Sequence, residues 1–276
     1  MTFEEKWQFF SHHAKFNSNL KWVQLATSFI IDNAPAGTVE FSFKSSHQHI
    51  YFNRAHIRFR NHQQSYYQQW YRIVTEIGQC WKIVWKDQDT RSFFNNFDWS
   101  ICDSFYAGFD LRPQKKDSRL KIWCACRCDK KTIQELIKNY SFKKDHLYPF
   151  WKKYSSERIL LGWIYKGNGD VSWRVYPEIP TKHLVLASKN HVVKELGPLS
   201  AMLASSWPSP QSLIHWGNIN NKELFIDKLK PLLLYPHKAI NLAKDLQQQG
   251  FNLSLVCTSL PATKKDKITE SNFYFK

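Results

Sequence analysis

A repeated order of segments, two strands followed by a helix, constrains the fold of this chain more than any other feature of its sequence. The order recurs roughly every 45 to 60 residues. Apolar and polar residues alternate in the strand segments, whereas apolar residues recur three or four positions apart in the helical segments. Five strand pairs are predicted: TVEFSFK with IYFNRAHIRF, SFYAGFDLR with RLKIWCAC, ILLGWIYK with VSWRVY, SLIHWG with ELFIDKL, and FNLSLVC with NFYF.

Helical segments follow the first four pairs, and one more precedes the first pair. The predicted helices cover residues 63–85, 130–140, 191–204 and 238–249. Short turns, such as residues 167–170 in the third pair, allow successive strands to pair antiparallel. Ten such strands are enough to close a barrel with the helices outside it. The sequence therefore predicts a single α+β domain over residues 1–276 around one antiparallel sheet.

Composition limits the class of protein. Of the 276 residues, 43% are hydrophobic and 16% aromatic, so the chain can bury a large core and is not disordered. It contains no apolar run of about 18 residues, the length needed to cross a membrane. Its first residues, MTFEEKWQFF, lack the basic start and apolar stretch of a signal peptide. We expect a cytoplasmic monomer with no membrane partner.

Three of the six cysteines lie two positions apart in RLKIWCACRC. In a strand, Cys124, Cys126 and Cys128 share one face, while Lys121 and Trp123 lie on the other. The spacing is not the CxxC of zinc sites, and no second cluster with matching histidines follows. We therefore expect the cysteines to pack beneath helices, and we expect no metal held by protein ligands.

The formal charge of +16 requires an anionic partner, either a nucleic acid or a small, highly charged ligand. The second strand of each hairpin places polar side chains on one face, which we interpret as the inner face of the barrel. These residues are Arg54, His56 and Arg58, then Lys121 and Trp123, then Ser172, Arg174 and Tyr176, and finally Ile226 and Lys228. Buried cations are costly unless an anion neutralises them.

Arginine, lysine and tyrosine side chains suit phosphate oxygens, and aromatic faces stabilise positive charge. Trp123, Trp163 and Trp173 provide such faces where they point inward. Together these residue types suit a diphosphate whose departure leaves an allylic carbocation.

Four stretches carry a resemblance to a known family. They are VEFSFK, with Arg54 ten residues after Lys44; AGFDLR followed by SRLKIW; LLGWIYKGNGDVSWRVYPEI; and SLIHWG. In these stretches the chain resembles the cyanobactin-type peptide prenyltransferases. The similarity covers most of residues 35–180, and beyond them only the order of elements and SLIHWG support it. It implies the ABBA fold, in which ten antiparallel strands form a central barrel surrounded by α-helices.

The resemblance implies roles for individual residues. Glu40 occupies the place of the catalytic base of the family. The diphosphate-binding set is Arg54, Lys121, Arg174, Tyr176 and Lys44. Of these, Arg174 is placed by strand alternation, and Lys44 is included because it shares a face with Glu40.

A second set would line the prenyl pocket. It consists of Trp123, Trp163, His215 and Leu255. His215 corresponds to a gatekeeper position, where a large residue closes the far end of the pocket and a small residue opens it.

The implied activity is transfer of an isoprenyl group, from dimethylallyl or geranyl diphosphate, to a side chain of a ribosomal peptide, cyclic or linear. No DDxxD motif is present, so we expect no magnesium site built from paired aspartates, but Mg²⁺ can accompany the donor largely through phosphate oxygens and water. Two alternatives stay open. One is a non-catalytic basic protein that binds nucleic acid or another polyanion; the other is an ABBA prenyltransferase that acts on a free small aromatic compound. The recurrence of cations on one strand face does not favour nucleic acid.

Overall fold

The computed structural model describes residues 2–14, 20–46, 49–112, 114–140, 147–178, 191–196, 200–207, 213–217, 221–259 and 267–276. Nine α-helices and ten strands lie in these ranges. The helices are α1 (Phe3–Ala14), α2 (Lys21–Asn33), α3 (Gln63–Trp81), α4 (Gln88–Asn95), α5 (Lys130–Tyr140), α6 (Leu147–Tyr154), α7 (His191–Leu196), α8 (Lys222–Leu229) and α9 (Pro236–Gln248). The strands are β1 (Thr38–Ser46), β2 (His49–Phe59), β3 (Cys102–Asp110), β4 (Arg119–Arg127), β5 (Arg158–Lys166), β6 (Val171–Pro177), β7 (Ser200–Trp207), β8 (Leu213–Gly217), β9 (Leu253–Ser259) and β10 (Glu270–Phe275).

The strands pair antiparallel in one curled sheet, in the order β1-β10-β9-β8-β7-β6-β5-β4-β3-β2 around a closed barrel. Strands that are neighbours in sequence are therefore neighbours in the sheet, as expected for hairpins and short connections. The first strand meets the last, with Phe41 opposite Phe275 and Lys44 opposite Asn272. The predicted mixed architecture around a single antiparallel sheet is confirmed.

The outer face of the sheet is apolar and packs against the helices. Phe41 on β1 stacks on Phe10 of α1, with ring centroids 4.7 Å apart. Phe59 on β2 stacks on Tyr66 of α3 at 3.7 Å. Full burial of one such side chain contributes about 1.5–3 kcal/mol. These contacts between the helices and the outer face of the sheet fix the strands from which the inward-facing side chains extend.

The cysteines of β4 pack as predicted. Cys124 and Cys126 are fully buried in the core between the sheet and the helices. Burial raises the pKa of both thiols well above the ordinary value, so they stay protonated. Lys121 and Trp123 lie on the opposite face of the strand, where Lys121 contacts Asp110.

Two predicted helices end earlier than expected. The helix predicted over residues 63–85 ends at Trp81, because Lys82 adopts a left-handed backbone (φ 54°) and its N–H donates to the last carbonyls of α3. The helix predicted over residues 191–204 ends at Leu196, and β7 begins at Ser200.

The fourth strand pair was predicted in the wrong place. β8 pairs with β7, and the segment ELFIDKL forms helix α8 instead of a strand. The side chain of Asn221 accepts a hydrogen bond from a backbone N–H of the first turn (2.9 Å) and so caps the helix. Ile226 is buried on one helical face with Phe225 and Leu229, and Lys228 is exposed. Neither Ile226 nor Lys228 lines the barrel.

Candidate functional site

The inner face of the barrel is polar and aromatic, because alternation along each strand places these residues opposite the apolar outer face. Pairing between strands brings them into rows. Arg54 of β2 lies opposite Asp110 of β3. Gly162 of β5 lies between Trp123 of β4 and Arg174 of β6. Since the strands of a barrel are tilted and staggered, residues of different rows meet in the lumen.

Asp110 is the centre of an ion-pair network in the lumen. Its Oδ2 lies 3.2 Å from Nζ of Lys121 and 3.4 Å from Nε of Arg54. Its Oδ1 lies 3.0 Å from Nε of Arg112. Burial acts to raise the pKa of Asp110, but the adjacent cations, Lys121 first, outweigh burial and hold that pKa well below the ordinary value. Asp110 is therefore ionised and holds three cations together.

Further cations surround this network, and we call the whole set the cationic cluster. Its members are Lys44, Arg54, Arg112, Arg119, Lys121, Lys166 and Arg174. Lys44 pairs with a second carboxylate, Glu270, at 2.8 Å. Within the described residues, Arg119 and Arg174 form no ion pair with a carboxylate. Seven cations around two carboxylates leave an excess of positive charge.

Burial, with the neighbouring cations, lowers the pKa of the lysines in the cationic cluster. Burial lowers the pKa of Lys121 well below the ordinary value, and the charge of Arg54 lowers it further. Burial also lowers the pKa of Lys44 and of Lys166. A bound anion would reverse this effect, so the cluster favours a small, highly charged anion.

A cavity of about 810 Å³ lies at the end of the barrel beside the cationic cluster. Lys44, Arg112, Arg119 and Lys166 line it, together with Tyr51. The ring centroid of Tyr51 lies 4.0 Å from the guanidinium carbon of Arg112. The volume is within the range of small-molecule sites, roughly 300–1,000 Å³.

Aromatic and apolar side chains lie beside the cationic cluster, and we call them the aromatic layer. They are Trp123, Leu160, Tyr176, Leu255, Cys257 and Tyr274. Nη1 of Arg174 donates to the hydroxyl of Tyr176 at 3.4 Å. The guanidinium carbon of Arg54 lies 5.9 Å from the ring centroid of Tyr274. Charged and apolar surfaces therefore meet inside the lumen.

Two glycines give the indole of Trp123 its position against the barrel wall. A methyl group on Gly162 would lie 2.6 Å from Cδ1 of Trp123, and one on Gly108 would lie 2.9 Å from its Cζ3. Carbon atoms in contact normally stay about 3.5–4.0 Å apart. Because both positions are glycine, the indole of Trp123 has room to lie against the barrel wall and does not extend into the lumen.

Glu40 lies on β1 four residues before Lys44, roughly 13 Å away along the strand. Its Oε2 lies 2.7 Å from Nε2 of His56, and its Oε1 lies 3.3 Å from Nζ of Lys276. Burial acts to raise the pKa of Glu40, but the contact with His56, its hydrogen bond first, and the charge of Lys276 lower it to about 2. Glu40 is therefore a buried carboxylate anion at neutral pH.

Most of the predicted site residues come together in the lumen. These are Glu40, Lys44, Arg54, Lys121, Trp123, Arg174, Tyr176 and Leu255. Their roles in binding and catalysis stay predictions. For His215 the structure describes the backbone, which pairs with Cys257 between β8 and β9, but not the side chain. The gatekeeper role of His215 therefore also stays a prediction.

The prediction that Trp163 lines the prenyl pocket is wrong. The neighbouring Gly162 lies on the inner face, so Trp163 points outward. Its ring centroid lies 4.6 Å from that of Phe94 and 5.1 Å from that of Tyr140, both on helices. Trp173, its partner across β5 and β6, shares the outer face. Because β5 is apolar on both faces, alternation gave no signal for its orientation.

Several residues of the candidate site were not predicted. Asp110 and Arg112 lie in AGFDLR, but nothing in the local pattern marks Asp110 as the centre of an ion-pair network. Arg119 precedes Lys121 by two positions, so strand alternation could have identified it. Tyr274 lies in NFYF, where three successive residues are aromatic, and the pattern does not say which of them face inward.

In the described ranges, no three histidine, cysteine, aspartate or glutamate side chains come together in a way that could hold a metal ion. No described helix combines the length and the apolar character needed to cross a membrane.

Known proteins offer a comparison of the fold. No protein-family profile and no curated protein matches the sequence. Among solved structures, the crystal structure of the NotF prenyltransferase aligns with a TM-score of 0.53 and 12% sequence identity, over 86% of this chain and 80% of that chain. The chain therefore has a prenyltransferase-like fold.

Proposed function

We propose that the protein transfers a prenyl group from an allylic diphosphate to a side chain of a peptide. The observation that carries this proposal is the meeting of the cationic cluster and the aromatic layer in one lumen, with the Glu40 anion on the same strand as Lys44. The cationic cluster is suited to bind a diphosphate, and the aromatic layer is suited to pack against a prenyl chain. Glu40 is suited to help remove the proton that the acceptor must lose. The prenyltransferase-like fold supports the same function.

In the proposed first step, the bond between the allylic carbon and the diphosphate oxygen breaks, and the oxygen keeps both electrons. Arg54, Lys121 and Arg174 donate to the developing negative charge, and the hydroxyl of Tyr176 adds a neutral donor. Lys44 lies beside the cavity and binds the outer phosphate. Because these donors are held in place before the substrate binds, stabilisation of the leaving group is the main contribution to the rate.

The aromatic layer protects the resulting cation. The π faces of Trp123 and Tyr274 stabilise positive charge by about 0.5–2 kcal/mol each. Leu255 extends the apolar surface along the prenyl chain. The layer also keeps water away from the cation, which would otherwise be hydrolysed.

The acceptor atom attacks the allylic carbon with its own electron pair and loses a proton to the base formed by Glu40 and its partner His56. A carboxylate with a pKa of about 2 is a weak base. It cannot ionise a neutral side chain beforehand, but the intermediate formed after attack on the cation is strongly acidic. Proton loss therefore follows bond formation.

The proposed donor is dimethylallyl or geranyl diphosphate, and the proposed acceptor is a ribosomal peptide, cyclic or linear. The peptide acceptor rests on the sequence resemblance in residues 35–180. Any Mg²⁺ is proposed to be held by phosphate oxygens and water. The carboxylates Asp110 and Glu270 are already paired with lysines and do not provide a protein cage for it.

The test is incubation with each donor and a panel of cyclic and linear peptides that carry tyrosine, tryptophan, histidine or arginine, followed by mass spectrometry. We expect one peptide or more to gain the mass of one prenyl group. Lys121→Ala should lose this activity, and Lys244→Ala, which changes an exposed ion pair, should keep it. No gain on any peptide by folded protein would overturn the proposal.

The same experiment separates the alternatives. Free tryptophan and tyrosine, included as acceptors, test for an enzyme that acts on small aromatic compounds. A gel shift with single-stranded oligonucleotides across salt concentrations tests for a non-catalytic polyanion-binding protein.

A further inference from the structure

We propose that Nδ1 of His56 receives the proton during prenyl transfer, with Glu40 as its positioning partner; this inference rests on the proposed function. It begins with the contacts of Glu40. His56 engages one carboxylate oxygen at 2.7 Å, and Lys276 lies 3.3 Å from the other. A carboxylate stabilised at both oxygens is well suited to hold a neighbouring cation and poorly suited to take a proton itself.

The charge of Glu40 fixes the tautomer of His56. An ionised carboxylate only accepts hydrogen bonds, so Nε2 of His56 carries the hydrogen and donates it to Oε2 of Glu40. In the neutral imidazole the lone pair then lies on Nδ1. Among the residues that the structure describes, none bonds to this nitrogen. A carboxylate that orients a histidine in this way leaves its second nitrogen free to act as a base.

The imidazole of His56 lies where, in the proposed reaction, the acceptor atom approaches the allylic cation. Its ring centroid lies 5.5 Å from that of Tyr274, 6.1 Å from that of Trp123 and 6.1 Å from that of Tyr106. Trp123 and Tyr274 belong to the aromatic layer that faces the prenyl chain. His56 therefore lies between this layer and Glu40.

Several charged and titratable groups surround His56. They are Glu40 from β1, Tyr106 from β3, Tyr274 from β10, Arg54 and Arg58 on its own strand, and Lys276 beyond Glu40. Burial raises the pKa of Tyr106 and of Tyr274, so both phenols stay neutral. Nη2 of Arg58 donates to Ser104 at 2.8 Å. Glu40 therefore supplies the negative charge that stabilises an imidazolium.

In the proposed step, the acceptor atom forms its bond to the allylic carbon with its own electron pair. The bond between the acceptor atom and its hydrogen then breaks, the acceptor keeps those electrons, and the proton moves to Nδ1 of His56. The imidazolium pairs with Glu40 and later releases the proton to solvent. The diphosphate departs with the electrons of the broken C–O bond, so charge is conserved.

The variant His56→Gln keeps a polar side chain but removes the base. With dimethylallyl diphosphate and a peptide that the unmodified protein prenylates, we expect kcat to fall about 10² to 10⁴-fold. Hydrolysis of the donor to the prenyl alcohol needs ionisation, attack of water on the allylic cation and loss of a proton to solvent, but not His56, and should be retained. His237→Gln changes an exposed histidine on α9 and is the matched control, which should leave both rates unchanged.

Two further measurements separate a base from a merely structural histidine. Turnover of the unmodified protein should fall at acid pH, because only a neutral imidazole takes the proton. His56→Gln should lack this dependence. Adding Glu40→Gln to His56→Gln should lower turnover little further, because the effects of substituting residues that act as a unit are not additive.

The tautomer can be read directly by ¹⁵N NMR of histidine-labelled protein, with the His56 signals identified by their loss in His56→Gln. We expect Nε2–H with a bare Nδ1, and a changed tautomer ratio in Glu40→Gln. An Nδ1–H tautomer, or full peptide prenylation with an unchanged pH profile by folded His56→Gln, would overturn the inference. If the unmodified protein neither hydrolyses the donor nor prenylates any peptide, the proposed function itself fails.

Discussion

Replacing Gly162 by alanine should push the indole of Trp123 into the lumen. The added methyl carbon would lie 2.6 Å from Cδ1 and 2.9 Å from Nε1 of the indole. A normal contact is about 3.5–4.0 Å, so the ring must move by about 1 Å or the backbone must shift. Overpacking of this kind costs about 1–3 kcal/mol, partly offset by roughly 0.5–1 kcal/mol for replacing a glycine in a strand.

The displacement should also change the choice of donor. The movement of Trp123 narrows the space for the longer prenyl chain, and each buried CH₂ contributes about 0.8 kcal/mol. Loss of contact for two carbon positions would lower geranyl turnover relative to dimethylallyl turnover on the order of tenfold. The assay is competition between the two diphosphates with one peptide acceptor, alongside urea unfolding of the same variants.

A double-mutant cycle separates the effect on Trp123 from any other effect of the alanine. In a Trp123→Ala background no ring opposes the methyl group, so Gly162→Ala should be neutral or slightly stabilising. An equal cost of Gly162→Ala in both backgrounds would refute the reasoning. So would a clear loss of stability without any change in the ratio of the two products.

The other predictions concern the charges of the lumen. Arg54→Ala and Lys121→Ala should each weaken binding of a thiolodiphosphate donor analogue by about 10- to 100-fold, since hydrogen bonds to charged groups contribute about 1.5–3 kcal/mol. Calorimetry with Lys244→Ala as a control checks this, and normal affinity in both variants would remove the cluster from the donor site. The pKa of Glu40 in the folded protein, about 2, lies below its ordinary value of 4.5. Ionised Glu40 therefore stabilises the folded protein by on the order of 3 kcal/mol. This contribution is fully present above pH 4.5 and is lost as the pH falls towards 2. The stability difference from Glu40→Gln should shrink over that range in urea titrations, and a constant difference would contradict the assignment.

The strands of the first three hairpins could be predicted because alternation and turn residues agree there. Residues 167–170 form a tight turn with Gly169 at φ 89°, as its sequence indicates. The prediction of a strand at 223–229 was wrong because ELFIDKL is so short that it fits both the strand period and the helix period. Its apolar positions 225, 226 and 229 match a helix, and the cap at Asn221 favours that form. β7, with the sequence SAMLASSW, has small residues and weak alternation, so its first residues, 200–204, match the end of the predicted helix.

The candidate site was predictable only where one strand face differs from the other. Arg54 and Lys121 alternate with apolar residues, so their inward direction could be read from the sequence. β5 offers no such contrast, and a shift of one position exchanges its two faces, which explains the error at Trp163. Asp110 could not be found in this way, because its role depends on strand pairing and barrel stagger, which bring Arg54 and Lys121 to it from both neighbouring strands.

Asp110 also explains how the cationic cluster can exist in the lumen without a bound anion. Lys121 is 5% exposed and Asp110 is 3% exposed, and an isolated charge at such depth is strongly unfavourable. By pairing with Lys121, Arg54 and Arg112, the carboxylate keeps their side chains in the lumen and aimed at a common point. One carboxylate cannot neutralise three cations, however, so part of the unfavourable charge stays in the free protein. In the proposed reaction, a diphosphate would compensate this charge on binding, and the negative charge on its oxygen would grow as the allylic C–O bond breaks. The excess positive charge that destabilises the free lumen would then favour the departure of the leaving group.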